Sequence, residues 1–128
     1  MKYTIATLAS HSCLQILKGA KDEGFKTLAI STPKGYDFYK RFKFIDKVIK
    51  IADYNDFYKL QKSLLRQNVI IIPHGSFVAY LGRDYDNKLI LKQYGNKRVM
   101  EWESNRLNQM IWLKKAGLRL PKIFSKPE

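Results

Sequence analysis

The stretch VIIIPHGS, residues 69–76, decides how this chain folds. It joins an unbroken apolar run, residues 69–72, directly to a Pro-His-Gly-Ser turn. Such a run is typical of a strand that is covered on both faces, as in a parallel sheet. The stretch TIATLASHS, residues 4–12, has a similar plan, because a β-rich run leads into an Ala-Ser-His-Ser turn. Both stretches predict a strand that ends in a polar turn before a helix.

Strands and helices alternate along the rest of the chain. The predicted strands are residues 3–8, 25–30, 47–51, 69–72 and 89–91. Two predicted helices start after the N-caps Ser12 and Asp53, and two more cover residues 77–81 and 99–116. Gly24 is predicted to end the first helix and Gly117 the last. Residues 31–35 are predicted as a turn, and 36–44 fit either a short helix or an irregular loop. This alternation predicts an α/β fold with a doubly wound, mostly parallel sheet of about five strands.

Composition indicates one folded domain. The chain has 128 residues, of which 45% are hydrophobic and 27% charged. No apolar stretch approaches the ~20 residues that a membrane-spanning helix needs. The single cysteine, Cys13, excludes an intrachain disulfide and fits a reducing compartment. We therefore expect a soluble cytoplasmic protein.

The charge balance favours a phosphate-bearing partner. Lysine and arginine number 24 against 11 acidic residues, which gives a net charge of +13. Such an excess attracts nucleotides, nucleic acids or anionic membranes, and does not choose among them. Aromatic and basic residues interleave over residues 36–44, a mixture that can bind single-stranded nucleic acid. The alternative is that the aromatic rings are core and the lysines extend into solvent.

The two histidines of the chain point to a binding site. His11 and His74 each follow directly after one of the two strands that meet where the winding of a doubly wound sheet reverses. Ligands of such sheets bind at that reversal, beyond the carboxyl ends of the strands. Small residues surround both histidines, and these are Ser10, Ser12, Gly75 and Ser76. Two helix starts at this place predict a site for a phosphorylated small molecule. The alternative is that Ser10, Ser12 and Ser76 are ordinary caps and the histidines are solvated turn residues.

Other kinds of site have weaker support. The sequence has neither a Gly-x-Gly-x-x-Gly fingerprint nor a Walker phosphate loop, and its histidines and cysteine have no zinc-site spacing. Cys13 lies on the apolar face of the first helix, which favours a buried structural thiol over a nucleophile. Glu101 and Glu103 fit the first turn of a helix, where carboxylates favour the helix dipole.

The same turns resemble the archaeal PurP family of formate-dependent ligases. The matching segments follow in order along nearly the whole chain. They are IATLASHS (5–12), LKGAKDEGF (17–25), YKRF (39–42), PHGSFVAY (73–80), GNKR (95–98), EWES (101–104) and KAGLRLP (115–121). The resemblance identifies residues 1–120 as a Rossmann-like pre-ATP-grasp domain that binds the nucleotide substrate.

The resemblance implies a function. Family members convert AICAR (5-aminoimidazole-4-carboxamide ribonucleotide) to its formamido product FAICAR in the biosynthesis of IMP, and they use formate and ATP. His11 and Ser76 are implied to contact AICAR, with Ser10, Ser12, His74 and Gly75 in the same pocket. ATP and Mg²⁺ bind mainly in a following ATP-grasp domain, and full-length members form trimers or hexamers.

The chain ends where the family enters that second domain. Residues 121–128 are expected to be an exit segment towards it, and we expect the chain to be an amino-terminal part that is inactive alone. Two alternatives stay open: a basic nucleic-acid-binding module, and a separate paralogue that completes an ATP-grasp partner on another chain.

Overall fold

The computed structural model describes residues 3–96 and 98–122. Lys97, which belongs to the matching segment 95–98, lies outside the described residues. So do residues 123–128, which belong to the predicted exit segment. The strands are β1 (Thr4–Leu8), β2 (Lys26–Ser31), β3 (Lys47–Lys50), β4 (Val69–Ile71) and β5 (Lys92–Gln93). The helices are α1 (Cys13–Asp22), α2 (Pro33–Tyr39), α3 (Phe57–Arg66), α4 (Gly75–Leu81), α5 (Tyr85–Lys88), α6 (Val99–Ser104) and α7 (Arg106–Lys115), with a 3-10 turn (Tyr54–Asp56) before α3.

The strands form one parallel sheet in the order β3-β2-β1-β4-β5. This confirms the predicted fold class and the position of β1 next to β4. Within β1, Ala6 pairs with Leu28 of β2 on one side and with Ile71 of β4 on the other. The chain therefore reverses its winding direction between β1 and β4, and the carboxyl ends of these strands lie side by side.

Two layers of apolar side chains hold the sheet between its helices. On one face, Phe57, Leu64 and Phe77 from α3 and α4 pack against the sheet with no more than 1% of their surface exposed. On the other face, Cys13 and Leu17 of α1 are fully buried. The predicted apolar stripe of the first helix is thus confirmed, and the alternation of β-strand side chains supplies both layers.

The fifth strand was predicted in the wrong place. Leu89 and Leu91 are buried as the pattern suggests, but the strand follows them at Lys92–Gln93. The reason is the Gln61 side chain, whose amide nitrogen donates to Lys88 O at 3.0 Å and whose oxygen accepts from Ile90 N at 2.8 Å. This side chain occupies main-chain groups that a strand would use for pairing.

The predicted long helix is two helices. Asn105 has φ −109° and ψ 111°, and its side-chain oxygen accepts hydrogen bonds from Leu107 N and Asn108 N. It is therefore the N-cap of α7, a role that asparagine prefers to a helix interior. Gly117 ends α7 with φ +78°, and Gly24 follows α1 with the same value, as predicted.

The turn predicted at residues 31–35 is also wrong. Ser31 belongs to β2, and Pro33 is the first residue of α2, where its fixed φ suits a helix start. The ambiguous segment after it is helical only as far as Tyr39.

Helices α6 and α7 lie on the surface, with only Met100 of α6 packed against the core. Neither contains a buried residue, and Trp102, Leu107 and Trp112 are 40%, 65% and 46% exposed. Among the described residues, no helix combines the length and the apolar character that crossing a membrane requires.

Candidate functional site

The crevice at the carboxyl ends of β1 and β4 brings together the two predicted turns. Ile72 N donates to Ala6 O at 3.0 Å, and the Thr7 hydroxyl donates to Ile72 O at 2.7 Å. These bonds continue the pairing beyond the last residue of β4. They fix the turn over residues 9–12 against the turn over residues 73–76, so residues 66 positions apart come within hydrogen-bonding distance.

A chain of three side chains crosses the crevice. The buried hydroxyl of Ser76 donates to Ser10 Oγ at 2.9 Å. Ser10 Oγ in turn lies 3.1 Å from His11 Nδ1. Because Ser10 accepts from Ser76, its own hydrogen is available for His11 Nδ1, which leaves the other imidazole nitrogen of this exposed residue for a ligand. The structure thus joins three of the predicted site residues, and their contact with a ligand stays a prediction.

Both ring nitrogens of His74 make hydrogen bonds within the protein. It is the N-cap of α4, because its Nδ1 accepts a hydrogen bond from Ser76 N at 3.4 Å. Its Nε2 lies 3.2 Å from Leu8 O, a carbonyl that can only accept, so Nε2 carries the proton. Burial lowers the pKa of His74, against the raising effect of the bond to Leu8 O, and the nearby His11 lowers it further. His74 is therefore neutral at pH 7. Its Nδ1 caps α4 locally, and its Nε2 ties this turn to the carboxyl end of β1.

The remaining predicted residues lie at the same edge of the sheet. Ser12 is at the N-cap position of α1 as predicted, but its side chain makes no capping hydrogen bond. Ser10 O accepts from Cys13 N at 2.9 Å instead. Gly75 is exposed, and a Cβ built on it meets no atom within 4 Å. An adjoining concavity of about 340 Å³ between α4 and α6 is lined by Gly75, Val78, Ala79, Met100, Glu103 and Ser104. A ligand at the crevice has space on this side.

Sequence reasoning missed three tyrosines at the site. The Tyr54 hydroxyl donates to Ala9 O at 3.1 Å, and the Tyr39 hydroxyl donates to Ser10 O at 3.3 Å. Burial raises the pKa of Tyr39 to about 12, so this hydroxyl keeps its proton. Tyr80 stacks on Tyr54 with ring centroids 4.4 Å apart and planes 7° from parallel. One signal was present in the sequence, since Tyr80 lies four residues after Ser76 and so shares its helical face.

Two alternative kinds of site receive no support from the geometry. Cys13 is completely buried, and this burial raises the pKa of its thiol to about 12, which makes it a structural residue. In the aromatic segment, Phe42 and Phe44 pack against the α1 side of the sheet, and their rings lie 5.5 Å apart. The core interpretation therefore fits Phe42 and Phe44, whereas Phe38 is 49% exposed.

Sequence comparison finds a family and named relatives. A sequence model of the family described as "Protein of unknown function (DUF1246)" matches residues 5–124. A Methanocaldococcus jannaschii protein named 5-formaminoimidazole-4-carboxamide-1-(beta)-D-ribofuranosyl 5'-monophosphate synthetase is 48% identical over 129 residues, covering 98% of this chain and 36% of the relative. An Archaeoglobus fulgidus protein of the same name is 45% identical, covering 97% of this chain and 34% of the relative. The chain spans about a third of the length of these relatives.

Structural comparison agrees. A crystal structure described as an IMP biosynthesis protein PurP from Thermococcus kodakaraensis superimposes with a TM-score of 0.80 at 37% identity, covering 95% of this chain and 40% of that one. The resemblance predicted from the turns at residues 5–12 and 73–80 is confirmed.

Proposed function

Because this chain belongs to the family described as proteins of unknown function (DUF1246), with matches to synthetases of IMP biosynthesis, we propose that it binds the nucleotide substrate of such a synthetase. The proposed substrate is AICAR, and the proposed reaction of the complete protein is its formate- and ATP-dependent conversion to FAICAR. Residues 1–120 are then the substrate-binding domain, and this chain alone is inactive. We place it in the cytoplasm, within a trimer or hexamer of the complete protein.

The observation that carries this proposal is the hydrogen-bonded chain Ser76–Ser10–His11. It gathers two hydroxyls and an exposed imidazole where β1 and β4 meet. AICAR presents hydroxyl, phosphate and carboxamide groups, and each of these can exchange hydrogen bonds with this set. The start of α1 at Cys13 adds the positive end of a helix dipole, which favours the phosphate.

We propose that ATP and Mg²⁺ bind mainly outside this chain, in an ATP-grasp domain. Within residues 3–96 and 98–122, no three His, Cys, Asp or Glu side chains come together in a way that could hold a metal ion. Asp53 and Asp56 form a capping box at the 3-10 turn before α3. We therefore assign this chain the binding and orientation of the nucleotide, and derive no phosphoryl-transfer step from it.

Calorimetric titration with AICAR tests the proposal. We expect His11→Ala and Ser76→Ala each to weaken binding by about tenfold or more, since a hydrogen bond to a charged ligand contributes about 1.5–3 kcal/mol. Ser63→Ala is a matched control, because this exposed serine lies in α3 away from the crevice. Raising the salt concentration is expected to weaken binding, as the phosphate is charged.

Two results would contradict the proposal. Tight binding that neither His11→Ala nor Ser76→Ala changes would remove the site. Absence of AICAR binding together with single-strand RNA affinity that falls steeply with salt would favour the nucleic-acid alternative.

A further inference from the structure

The stacked tyrosines beside the crevice differ from the other aromatic pairs of the described chain. Pairs such as Phe57–Phe77 and Phe38–Tyr39 meet edge-on, with planes 84° and 87° apart. Tyr54 and Tyr80 lie parallel instead, at 4.4 Å and 7°. Tyr80 is 42% exposed, so the pair presents aromatic surface to solvent.

A closed set of contacts holds this pair next to the predicted site residues. The Tyr54 hydroxyl donates to Ala9 O, and the next residue, Ser10, accepts from Ser76. Ser76 and Tyr80 are four residues apart in α4, so they lie on one helical face. Tyr54 then stacks on Tyr80 and closes the set. The rings thus form a wall that adjoins the Ser10–Ser76 pair.

The orientation of this wall is fixed from both sides. The hydrogen bond to Ala9 O holds the plane of Tyr54, and the burial of Phe77 and Leu81 holds α4, which carries Tyr80. A fixed aromatic surface suits a planar ligand, because stacking on it costs little additional side-chain entropy. Aromatic side chains hold nucleic-acid bases in this way, through the π-face that every base has.

We propose that Tyr80, backed by Tyr54, is the surface on which the planar base of the substrate stacks. The proposal rests on the proposed function, and it assigns different roles to the polar residues and to Tyr80. Ser10, His11 and Ser76 contact polar groups of the nucleotide, whereas Tyr80 selects for an aromatic base.

Titrations with two ligands test this. AICAR carries the base, and ribose 5-phosphate has the same sugar and phosphate without it. We expect Tyr80→Leu to weaken AICAR binding by about tenfold to a hundredfold, from the usual contribution of one stacked base, and to leave ribose 5-phosphate binding unchanged. Tyr80→Phe retains the ring, so it is expected to bind AICAR within about threefold of the unmodified chain.

A substitution away from the site serves as a control for nonspecific loss of binding. Leu65→Ala removes an exposed apolar side chain of α3, 45% exposed, and is expected to bind both ligands normally. Equal loss of both ligands in Tyr80→Leu, or loss of neither, would overturn the stacking role while the proposed function stands. If the unmodified chain binds neither ligand, the proposed function fails, and the stacking role fails with it.

Discussion

Acidification is expected to weaken the N-cap that His74 provides to α4. The neutral imidazole caps α4 by accepting from Ser76 N, and it donates to Leu8 O. Protonation of Nδ1 would turn this acceptor into a donor that faces another N–H group. Replacing the side chain by alanine removes both bonds, whereas asparagine retains a capping oxygen and cannot titrate.

The magnitude follows from these two bonds. An N-cap contributes about 1 kcal/mol, and a neutral hydrogen bond of a half-buried group also contributes about 1 kcal/mol. His74→Ala is therefore expected to lower the free energy of unfolding at pH 7.5 by about 1–2 kcal/mol, or Tm by about 4–8 °C in a domain of this size.

The pH dependence has a definite sign. The pKa of His74 is lowered in the folded chain, chiefly by burial, so the unfolded chain takes up the proton more readily. The contribution of His74 is present above the unfolded pKa of about 6.5 and is lost as pH falls through the folded value. Stability is thus expected to decline on acidification below about pH 6.5.

Urea unfolding between pH 7.5 and 5.5 measures this effect. The unmodified chain is expected to lose stability over this range, and His74→Asn to lose less. His11→Gln serves as the control for the other histidine. Equal pH dependence in the unmodified chain and in His74→Asn would refute the assigned hydrogen bonds.

Four further expectations concern single buried or glycine positions. Phe57→Ala, at a fully buried core position, is expected to cost about 3–5 kcal/mol of unfolding free energy in chemical denaturation. Gly19→Ala is expected to raise the free energy of unfolding by roughly 0.5–1 kcal/mol, because the position is inside α1 and a Cβ meets no atom within 4 Å. Gly24→Ala is expected to lower it by roughly 1–2 kcal/mol, because Gly24 has φ +78°. The buried Cys13, with its raised pKa, is expected to react with a thiol reagent at pH 8 only after unfolding; rapid reaction of the folded chain would contradict its placement.

The sheet and its reversal could be predicted because local signals agreed with the tertiary structure. The run at residues 69–72 is apolar without interruption since β4 is inside the sheet, and α1 shows its buried stripe at Cys13, Leu17 and Ala20. The full strand order was not predicted, but the common order of doubly wound sheets places the first and fourth strands side by side, and this was sufficient to bring His11 and His74 to one edge.

The fifth strand and the last helix were predicted wrongly because side chains there make hydrogen bonds to main-chain groups. Gln61 bonds the main chain of Lys88 and Ile90, and Asn105 bonds the start of α7. Gln61 is 29 residues from Ile90 in sequence, so a local pattern cannot reveal that bond. The tyrosines of the site were missed for the same reason, because Tyr54 reaches Ala9 from 45 residues away.

The surface of α6 and α7 has a consequence for the protein in solution. It combines exposed indole and aliphatic side chains with a molecule that carries a net charge of +13. In dilute buffer, electrostatic repulsion keeps neighbouring molecules apart. At 0.15 M salt the Debye length falls to about 8 Å, and the repulsion no longer opposes apolar contact. Colloidal stability of the purified chain is therefore greatest at low ionic strength, and light scattering of concentrated samples rises as salt is added.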